Sequence, residues 1–123
     1  MKKIVKNAIL VDKDINKVGD IKIEDGKIVE IGENLSFDDS FEIIDAKGKT
    51  VMPAFVDLHV HFRDPGFTYK EDLKTGSLSA LRGGYTTVNT MANTKPICGD
   101  LETYNDIMKR AKELDLVDIN QIV

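Results

Sequence analysis

Polar and apolar residues alternate strictly from Val56 to Arg63, in the run Val-Asp-Leu-His-Val-His-Phe-Arg. A β-strand points successive side chains to opposite faces, so this run predicts a strand with one apolar face and one polar face. The polar face carries Asp57, His59, His61 and Arg63. Strands that alternate with helices are usually buried on both faces, and polar groups buried there need a partner such as a metal or an anionic ligand.

The two histidines of the chain, His59 and His61, stand at positions i and i+2 of this run. Along a strand that spacing separates two imidazoles by about 6–7 Å, which lets both bind one divalent ion. His-x-His alone is a weak motif, and two hydrogen-bonded structural histidines are the alternative. Asp57 and Arg63 on the same predicted face favour the metal interpretation.

Arg63 falls at the carboxyl end of the predicted strand, where sheet and barrel enzymes bind their ligands. Its planar guanidinium suits a carboxylate, and a surface salt bridge with Asp64 is the alternative. Asn93 follows the next predicted strand, so it is expected at the same end of the sheet, with a turn residue as the alternative. Lys95 and Cys98 are interpreted as a solvated lysine and a packed thiol.

The chain divides into a β-rich segment, residues 1–52, and a segment of alternating strands and helices, residues 53–123. In the first segment, Asp25-Gly26 lies between two apolar runs and predicts a tight hairpin turn. A strict two-residue turn would place Glu30 on the apolar face of the hairpin. A β-bulge or a looser turn is therefore expected.

The second segment has the element order of a parallel sheet covered by helices, so the fold class is α/β. The pattern predicts strands over residues 55–62, 86–91 and 117–123, and helices over residues ~70–82 and from residue ~101. Asp100 is placed to cap the second helix. The segment thus contains about two and a half β/α units, because no helix follows the last strand.

Composition disfavours several classes of protein. Seventeen Lys and Arg against 21 Asp and Glu give a net charge of −4, and the basic residues are scattered, which disfavours nucleic-acid binding. No run approaches the ~18 apolar residues of a membrane helix, and the first residues do not read as a signal peptide. Because Cys98 is the only cysteine, no internal disulfide is expected and the cytoplasm is the expected location.

Three segments together resemble a known family. They are Asp57 to Gly66 (Asp-Leu-His-Val-His-Phe-Arg-Asp-Pro-Gly), Gly83 to Val88 (Gly-Gly-Tyr-Thr-Thr-Val) and Met91 to Pro96 (Met-Ala-Asn-Thr-Lys-Pro). In order and spacing they are similar to the dihydroorotases, which are cyclic amidohydrolases. The β-rich segment resembles the small domain that accompanies their barrel. Ala92 departs from the proline of many members, in a turn and not at a proposed ligand.

The resemblance implies the start of a (β/α)8 TIM-type metallo-hydrolase barrel, preceded by part of a small β-rich sandwich domain. His59 and His61 would be the first two zinc ligands. Arg63 and Asn93 would hold the substrate carboxylate. Asp57 would support the metal site without touching the ion. The implied reaction is reversible hydrolysis of dihydroorotate to N-carbamoyl aspartate in pyrimidine biosynthesis, with a zinc-bound hydroxide attacking the ring amide.

On this interpretation the chain is an incomplete enzyme. A catalytic zinc needs three protein ligands and such a barrel takes about 250 residues, whereas the chain has no third histidine. The resemblance places the catalytic aspartate on a later strand, so no catalytic residue is assigned within these 123 residues. The chain alone is expected to be an inactive fragment.

Two alternatives to a dihydroorotase remain open at this point. One is a non-catalytic, dihydroorotase-like scaffold or partner protein. The other is a different cyclic amidohydrolase, such as an allantoinase or a hydantoinase, since these share the His-x-His strand. The expected partners are a small-molecule substrate and, beyond it, a second copy of the chain or other enzymes of pyrimidine synthesis.

Overall fold

The computed structural model describes residues 1–123. The chain folds into two units, Met1–Pro53 and Ala54–Val123. The first unit contains only strands: β1 (Lys2–Val11), β2 (Asn16–Glu24), β3 (Lys27–Gly32), β4 (Glu42–Asp45) and β5 (Thr50–Val51). The second unit alternates strands and helices: β6 (Phe55–Val60), α1 (Leu73–Arg82), β7 (Tyr85–Thr90), α2 (Leu101–Leu114) and β8 (Asp118–Gln121).

The first unit is one mixed sheet with the strand order β3-β2-β1-β4, and β5 pairs with the far end of β1. Strand β2 is antiparallel to both of its neighbours, whereas β4 and β5 run parallel to β1. The buried side chains of this unit that cluster together are Ala8, Leu10, Ile21 and Ala46.

The hairpin of β2 and β3 turns at Asp25-Gly26, where both residues have positive φ, 49° and 78°. Those angles suit a two-residue turn of type I′. Ile23 pairs with Ile28 as a two-residue turn requires, but the register then shifts and Lys22 pairs with Glu30. The structure therefore confirms the predicted turn and resolves its register with a β-bulge.

The second unit is built on a parallel sheet with the strand order β6-β7-β8. Helix α1 connects β6 to β7, and α2 connects β7 to β8, which gives the predicted α/β architecture. Buried residues from the strands, the helices and the connecting loops form its core: Phe62, Leu73, Val88, Cys98, Ile107, Ala111 and Ile119. Neither helix is long and apolar enough to span a membrane.

Both helices begin at an aspartate. The Asp72 carboxylate accepts a hydrogen bond from the Thr75 N–H at 2.7 Å, and the Asp100 carboxylate accepts one from the Thr103 N–H at 2.8 Å. These side chains satisfy N–H groups that the first turn of a helix leaves unpaired. The predicted cap at Asp100 is confirmed.

Gly76 lets α1 approach the sheet closely. A Cβ atom at this position would lie 2.5 Å from the nearest ring atom of Phe62, inside van der Waals contact. Phe62 follows the end of β6 and is only 6% exposed, so it seals the space beneath α1. The helix thereby holds the segment that follows β6.

Strand β6 departs from the predicted alternation. Asp57 pairs with Val88 and Val60 with Thr90, so three steps along β6 match two steps along β7, and one residue is bulged. The strand also ends at Val60 rather than at residue 62. The prediction of one regular strand over residues 55–62 is therefore wrong, because the bulge interrupts the alternation between Asp57 and Val60 and the strand ends before His61 and Arg63.

The apolar residues of β6 show the same effect. Val60 and Phe62 pack against the core beneath the helices, as predicted. Val56 and Leu58, predicted to share that face, are instead 54% and 69% exposed. Val56 pairs with Thr87, the chain neighbour of the buried Val88, so it lies on the other face of the sheet.

Candidate active site

The candidate site lies where β6 and β7 end, in the β6 loop (residues 61–72) and the β7 loop (residues 91–100). Adjacent parallel strands end at the same edge of a sheet, and enzymes of this architecture carry their functional groups there. The loops are joined by a hydrogen bond from the Lys95 N–H to the Pro65 carbonyl at 2.9 Å. Gly66 (φ 94°) permits this contact, because a Cβ atom there would lie 2.2 Å from the Lys95 carbonyl oxygen.

His59 and His61 lie side by side at the end of β6. Their ring centroids are 5.0 Å apart, with the planes inclined by 72°, and both side chains are exposed. Two imidazoles at this separation can reach one divalent ion. The structure thus brings the predicted pair together even though the strand beneath it is bulged.

His61 contacts Asn93 across the two loops. Its Nδ1 atom lies 2.9 Å from the Asn93 Oδ1 atom. An amide oxygen can only accept a hydrogen bond, so the tautomer that makes this bond carries its proton on Nδ1 and leaves the Nε2 lone pair free. A histidine held in this way presents one defined nitrogen to a metal.

Asp57 lies within the strand, one residue before the bulge. Its carboxylate accepts a hydrogen bond from the His59 backbone N–H at 3.0 Å. The residue also lines a cavity with residues of the helix-covered side, including Val60, Ala80, Tyr85 and Val88. The hydrogen bond of Asp57 is therefore to the backbone of a histidine.

Arg63 has a left-handed backbone conformation, with φ of 61°, and its carbonyl accepts a hydrogen bond from the Phe67 N–H at 2.9 Å. Its guanidinium makes no ion pair with a carboxylate of this chain. The alternative interpretation, a salt bridge with Asp64, is wrong, because Asp64 is paired with Arg110 of α2 at 2.7 Å. The Arg63 charge is thus available to a ligand.

Asp64 and Arg110 form an ion pair that the sequence did not predict. The Asp64 side chain is 9% exposed, and its second oxygen accepts a hydrogen bond from the Leu73 N–H at 3.3 Å. Arg110 also contacts Asp106, one turn earlier in α2, at 2.8 Å. Burial alone would lower the pKa of Arg110, but its hydrogen bonds to Asp64 and Asp106 raise that pKa above its ordinary value.

The β7 loop is held by bonds to its own backbone. The buried Thr94 hydroxyl donates to the Pro96 carbonyl at 2.7 Å, and the Cys98 N–H donates to the Ala92 carbonyl at 3.1 Å. The Cys98 thiol is fully buried, and burial, with a smaller effect of Asp100, raises its pKa. The structure confirms the interpretation of Cys98 as a packed thiol and places the Lys95 side chain in solvent.

The described chain holds no group of three or more His, Cys, Asp or Glu side chains that could surround a metal ion. His59 and His61 therefore supply two potential ligands, one fewer than a catalytic zinc site takes from its protein. The donor chemistry of the pair fits a divalent metal, since the hydrogen bond from His61 to Asn93 leaves the other ring nitrogen free.

Parallel β/α units whose polar side chains gather after the carboxyl ends of the strands are typical of the α/β class of proteins, in open sheets and in barrels alike. Residues 50–120 match the amidohydrolase family, and the chain belongs to that family.

Two bacterial dihydroorotases illustrate the similarity. The chain is 50% identical to the dihydroorotase of Clostridium botulinum over 123 residues, all of this chain and 31% of that enzyme. It is 46% identical to the dihydroorotase of Aquifex aeolicus over 118 residues, 94% of this chain and 28% of that enzyme. The chain thus spans less than a third of the length of these relatives.

Solved structures of related enzymes share the fold. The L-hydantoinase (dihydropyrimidinase) of Arthrobacter aurescens superposes with a TM-score of 0.86 at 36% identity, covering 97% of this chain and 27% of that one. A D-hydantoinase (dihydropyrimidinase) of Thermus sp. gives 0.79 at 34% identity, covering 97% and 26%. Both units of the chain therefore have the fold of the corresponding part of an amidohydrolase.

Proposed function

We propose that this chain is part of a dihydroorotase, which hydrolyses the cyclic amide of dihydroorotate reversibly to N-carbamoyl aspartate in pyrimidine synthesis. The observation that carries the proposal is that two adjoining loops carry Asn93, which contacts His61, and Arg63, which forms no ion pair within the chain. Identity with dihydroorotases along the whole chain supports it.

The proposed cofactor is zinc, held by His59 and His61. The 5.0 Å separation of their rings and the free Nε2 of His61 fit this role. Bound there, the metal would polarise the scissile amide and lower the pKa of water. The remaining ligands and the residue that moves protons would come from parts of the protein outside these 123 residues.

Arg63 and Asn93 would bind the substrate carboxylate. The Asn93 oxygen is occupied by His61, but its amide nitrogen keeps two N–H donors that bond to no atom of this chain. The Arg63 guanidinium offers a planar pair of donors that matches a carboxylate. One asparagine would thereby orient a metal ligand with its oxygen and the substrate with its nitrogen.

Asp57 would act on the metal site indirectly. Its carboxylate holds the His59 backbone N–H at the bulge in β6. That contact restrains the segment from which the His59 side chain projects. Asp57 would therefore support the metal ligands rather than bind the metal itself.

Hydantoinase activity is the second candidate, because the solved structures compared above are hydantoinases. Dihydroorotate carries a carboxylate and simple hydantoins do not. An unpaired Arg63 beside the site therefore favours the acidic substrate. A non-catalytic scaffold is disfavoured, since a scaffold has no physical need for adjacent histidines and an unpaired arginine at one sheet edge.

The partners and the location of the protein follow from the same proposal. The primary partner would be a small molecule, and a second copy of the chain or other pyrimidine enzymes would be further partners. A cytoplasmic enzyme is consistent with the free, buried thiol of Cys98.

The test uses the full-length protein. Its metal content and its turnover of dihydroorotate, hydantoin and allantoin are measured beside those of the His59→Ala, His61→Ala double variant. We expect bound zinc, preference for dihydroorotate, and loss of both metal and turnover in the double variant. Asn105→Ala, on the exposed side of α2, is the matched control. Faster turnover of hydantoin than of dihydroorotate would contradict the proposal.

A further inference from the structure

We propose that Asp64 is a positioning residue, which acts through its ion pair with Arg110 to hold Arg63 in the orientation that binds the substrate carboxylate. The inference rests on the proposed function. It adds a pair of residues that touch neither metal nor substrate and yet determine substrate affinity.

Asp64 is anchored on both carboxylate oxygens. Its Oδ1 accepts from Arg110 Nη1 at 2.7 Å, and its Oδ2 accepts from the Leu73 N–H at the start of α1. A buried carboxylate stays charged only when such partners replace water. The Asp64 backbone is therefore fixed relative to both helices of the unit.

Arg110 is also held by a second carboxylate, that of Asp106. Asp106 accepts from its Nε atom at 2.9 Å and contacts its Nη2 atom at 2.8 Å. A guanidinium held on one edge presents its other nitrogen in a defined direction. Helix α2 thus serves as a rigid support for the β6 loop.

This support matters because Arg63 has an unfavourable backbone conformation. Its φ of 61° is uncommon for a residue with a long side chain. Two contacts bracket the residue: the Phe67 N–H bonds to its carbonyl, and Asp64 is anchored immediately after it. Without the anchor, we expect Arg63 to relax toward an ordinary conformation and its guanidinium to move.

The anchor also reaches the second substrate-binding loop. Pro65, next to Asp64, accepts the hydrogen bond from the Lys95 N–H, and Lys95 lies two residues after Asn93. Asp64 therefore stands at the junction of the loops that carry Arg63 and Asn93. A small displacement there separates the two groups that would share one carboxylate.

The experiment is a double-variant cycle in the full-length enzyme, with Asp64→Asn, Arg63→Ala and the combination of both. Asparagine keeps the size of the side chain and an oxygen for the Leu73 N–H, but removes the charge that Arg110 binds. We expect Asp64→Asn to raise the KM for dihydroorotate about 10- to 100-fold, with a much smaller change in kcat. In the Arg63→Ala background the same substitution should change KM by less than about twofold.

Arg110→Lys is a more conservative second variant, because it keeps the positive charge and loses only the planar N–H donors of the guanidinium. It should raise KM less than Asp64→Asn does. Glu113→Gln removes a carboxylate from the same helix in an exposed pair with Lys109, and it should leave both constants unchanged.

Four outcomes decide between these roles. The proposal is supported if Asp64→Asn raises KM in the wild-type background but not in the Arg63→Ala background. A lower melting temperature with unchanged kinetic constants, or equal effects of Asp64→Asn with and without Arg63, overturns it and leaves the pair a structural one. Inactivity of the unaltered full-length protein toward dihydroorotate overturns the proposed function, and this inference with it.

Discussion

The Nδ1 atom of His61 and the Oδ1 atom of Asn93 lie 2.9 Å apart, although 32 positions separate the two residues in the chain. The contact joins the ends of two neighbouring parallel strands. It also favours the tautomer of the imidazole with its proton on Nδ1, because an amide oxygen cannot donate.

Replacing Asn93 should therefore weaken metal binding as well as substrate binding. We expect Asn93→Ala in the full-length protein to reduce zinc affinity by about 10- to 100-fold, the range for lost partners of metal-bound histidines. Asn93→Asp keeps an acceptor for His61 and should bind zinc more tightly than Asn93→Ala, while a second carboxylate repels the substrate. Competition with a chelator measures the affinity. Wild-type affinity in Asn93→Ala would show that the contact does not orient the ligand.

Arg63→Ala should leave metal binding intact and impair use of the acidic substrate. Loss of a charge-assisted pair should reduce the stabilisation of the transition state for dihydroorotate by about 2 kcal/mol or more. This loss is calculated from the ratio of the kcat/KM values of wild type and variant. Arg82→Ala, an exposed arginine in the last turn of α1, is the matched control and should have no effect. The role assigned to Arg63 fails if kcat/KM is unchanged.

Gly66→Ala should be more damaging than an alanine at another glycine of positive φ. At Gly84 (φ 85°) the nearest atom to an added Cβ lies at an ordinary 3.5 Å, whereas at Gly66 the Lys95 carbonyl oxygen lies at 2.2 Å. Both substitutions have a backbone cost of about 1–2 kcal/mol. Gly66→Ala should destabilise by about 1–3 kcal/mol more, because the loops must separate. Denaturant unfolding of the two variants measures the difference, and equal losses would contradict it.

Asp20 should make the stability of the first unit dependent on acid. Burial alone would raise the pKa of Asp20, but hydrogen bonds from the Lys6 ammonium and from the N–H groups of Asn7 and Leu35 lower it below 3.8. The folded state therefore binds this proton more weakly than the unfolded state. The resulting stability is fully present above about pH 4 and is lost as the pH falls through the folded-state pKa.

Asp20→Asn tests this relation. At neutral pH the variant should be less stable by about 2–4 kcal/mol, slightly less than for a fully buried pair because Lys6 is partly solvated. The difference from wild type should shrink between pH 4 and lower pH, as followed by denaturant unfolding. Asp14→Asn, at an exposed position, is the control. A difference that stays constant with pH would contradict the assignment.

The elements whose determinants are local were predictable from the sequence. Asp25-Gly26 supplies the two positive φ angles of the hairpin turn, and the position of Glu30 indicated the bulge beside it. Asp100 supplies a side chain for the first turn of α2. In each case neighbouring residues determine the geometry, so the pattern is sufficient.

The polar face of β6 shows the limit of such patterns. Alternation predicts a regular strand, but the bulge after Asp57 depends on the register with β7, which is not encoded locally. The pairs His61–Asn93 and Asp64–Arg110 join residues 32 and 46 positions apart. The sequence could place Asn93 at the correct end of the sheet, but it could not select these partners.

The accessibility of Cys98 to a thiol reagent can report the opening of one loop. Its thiol is fully buried at the end of the β7 loop, so a thiol reagent can react only after that loop or α2 has opened. The rate of labelling at this residue in the full-length protein, measured by peptide mass after digestion, reports how often such openings occur. A substrate that bridges Arg63 and Asn93 would slow the labelling, and binding could then be followed without any turnover.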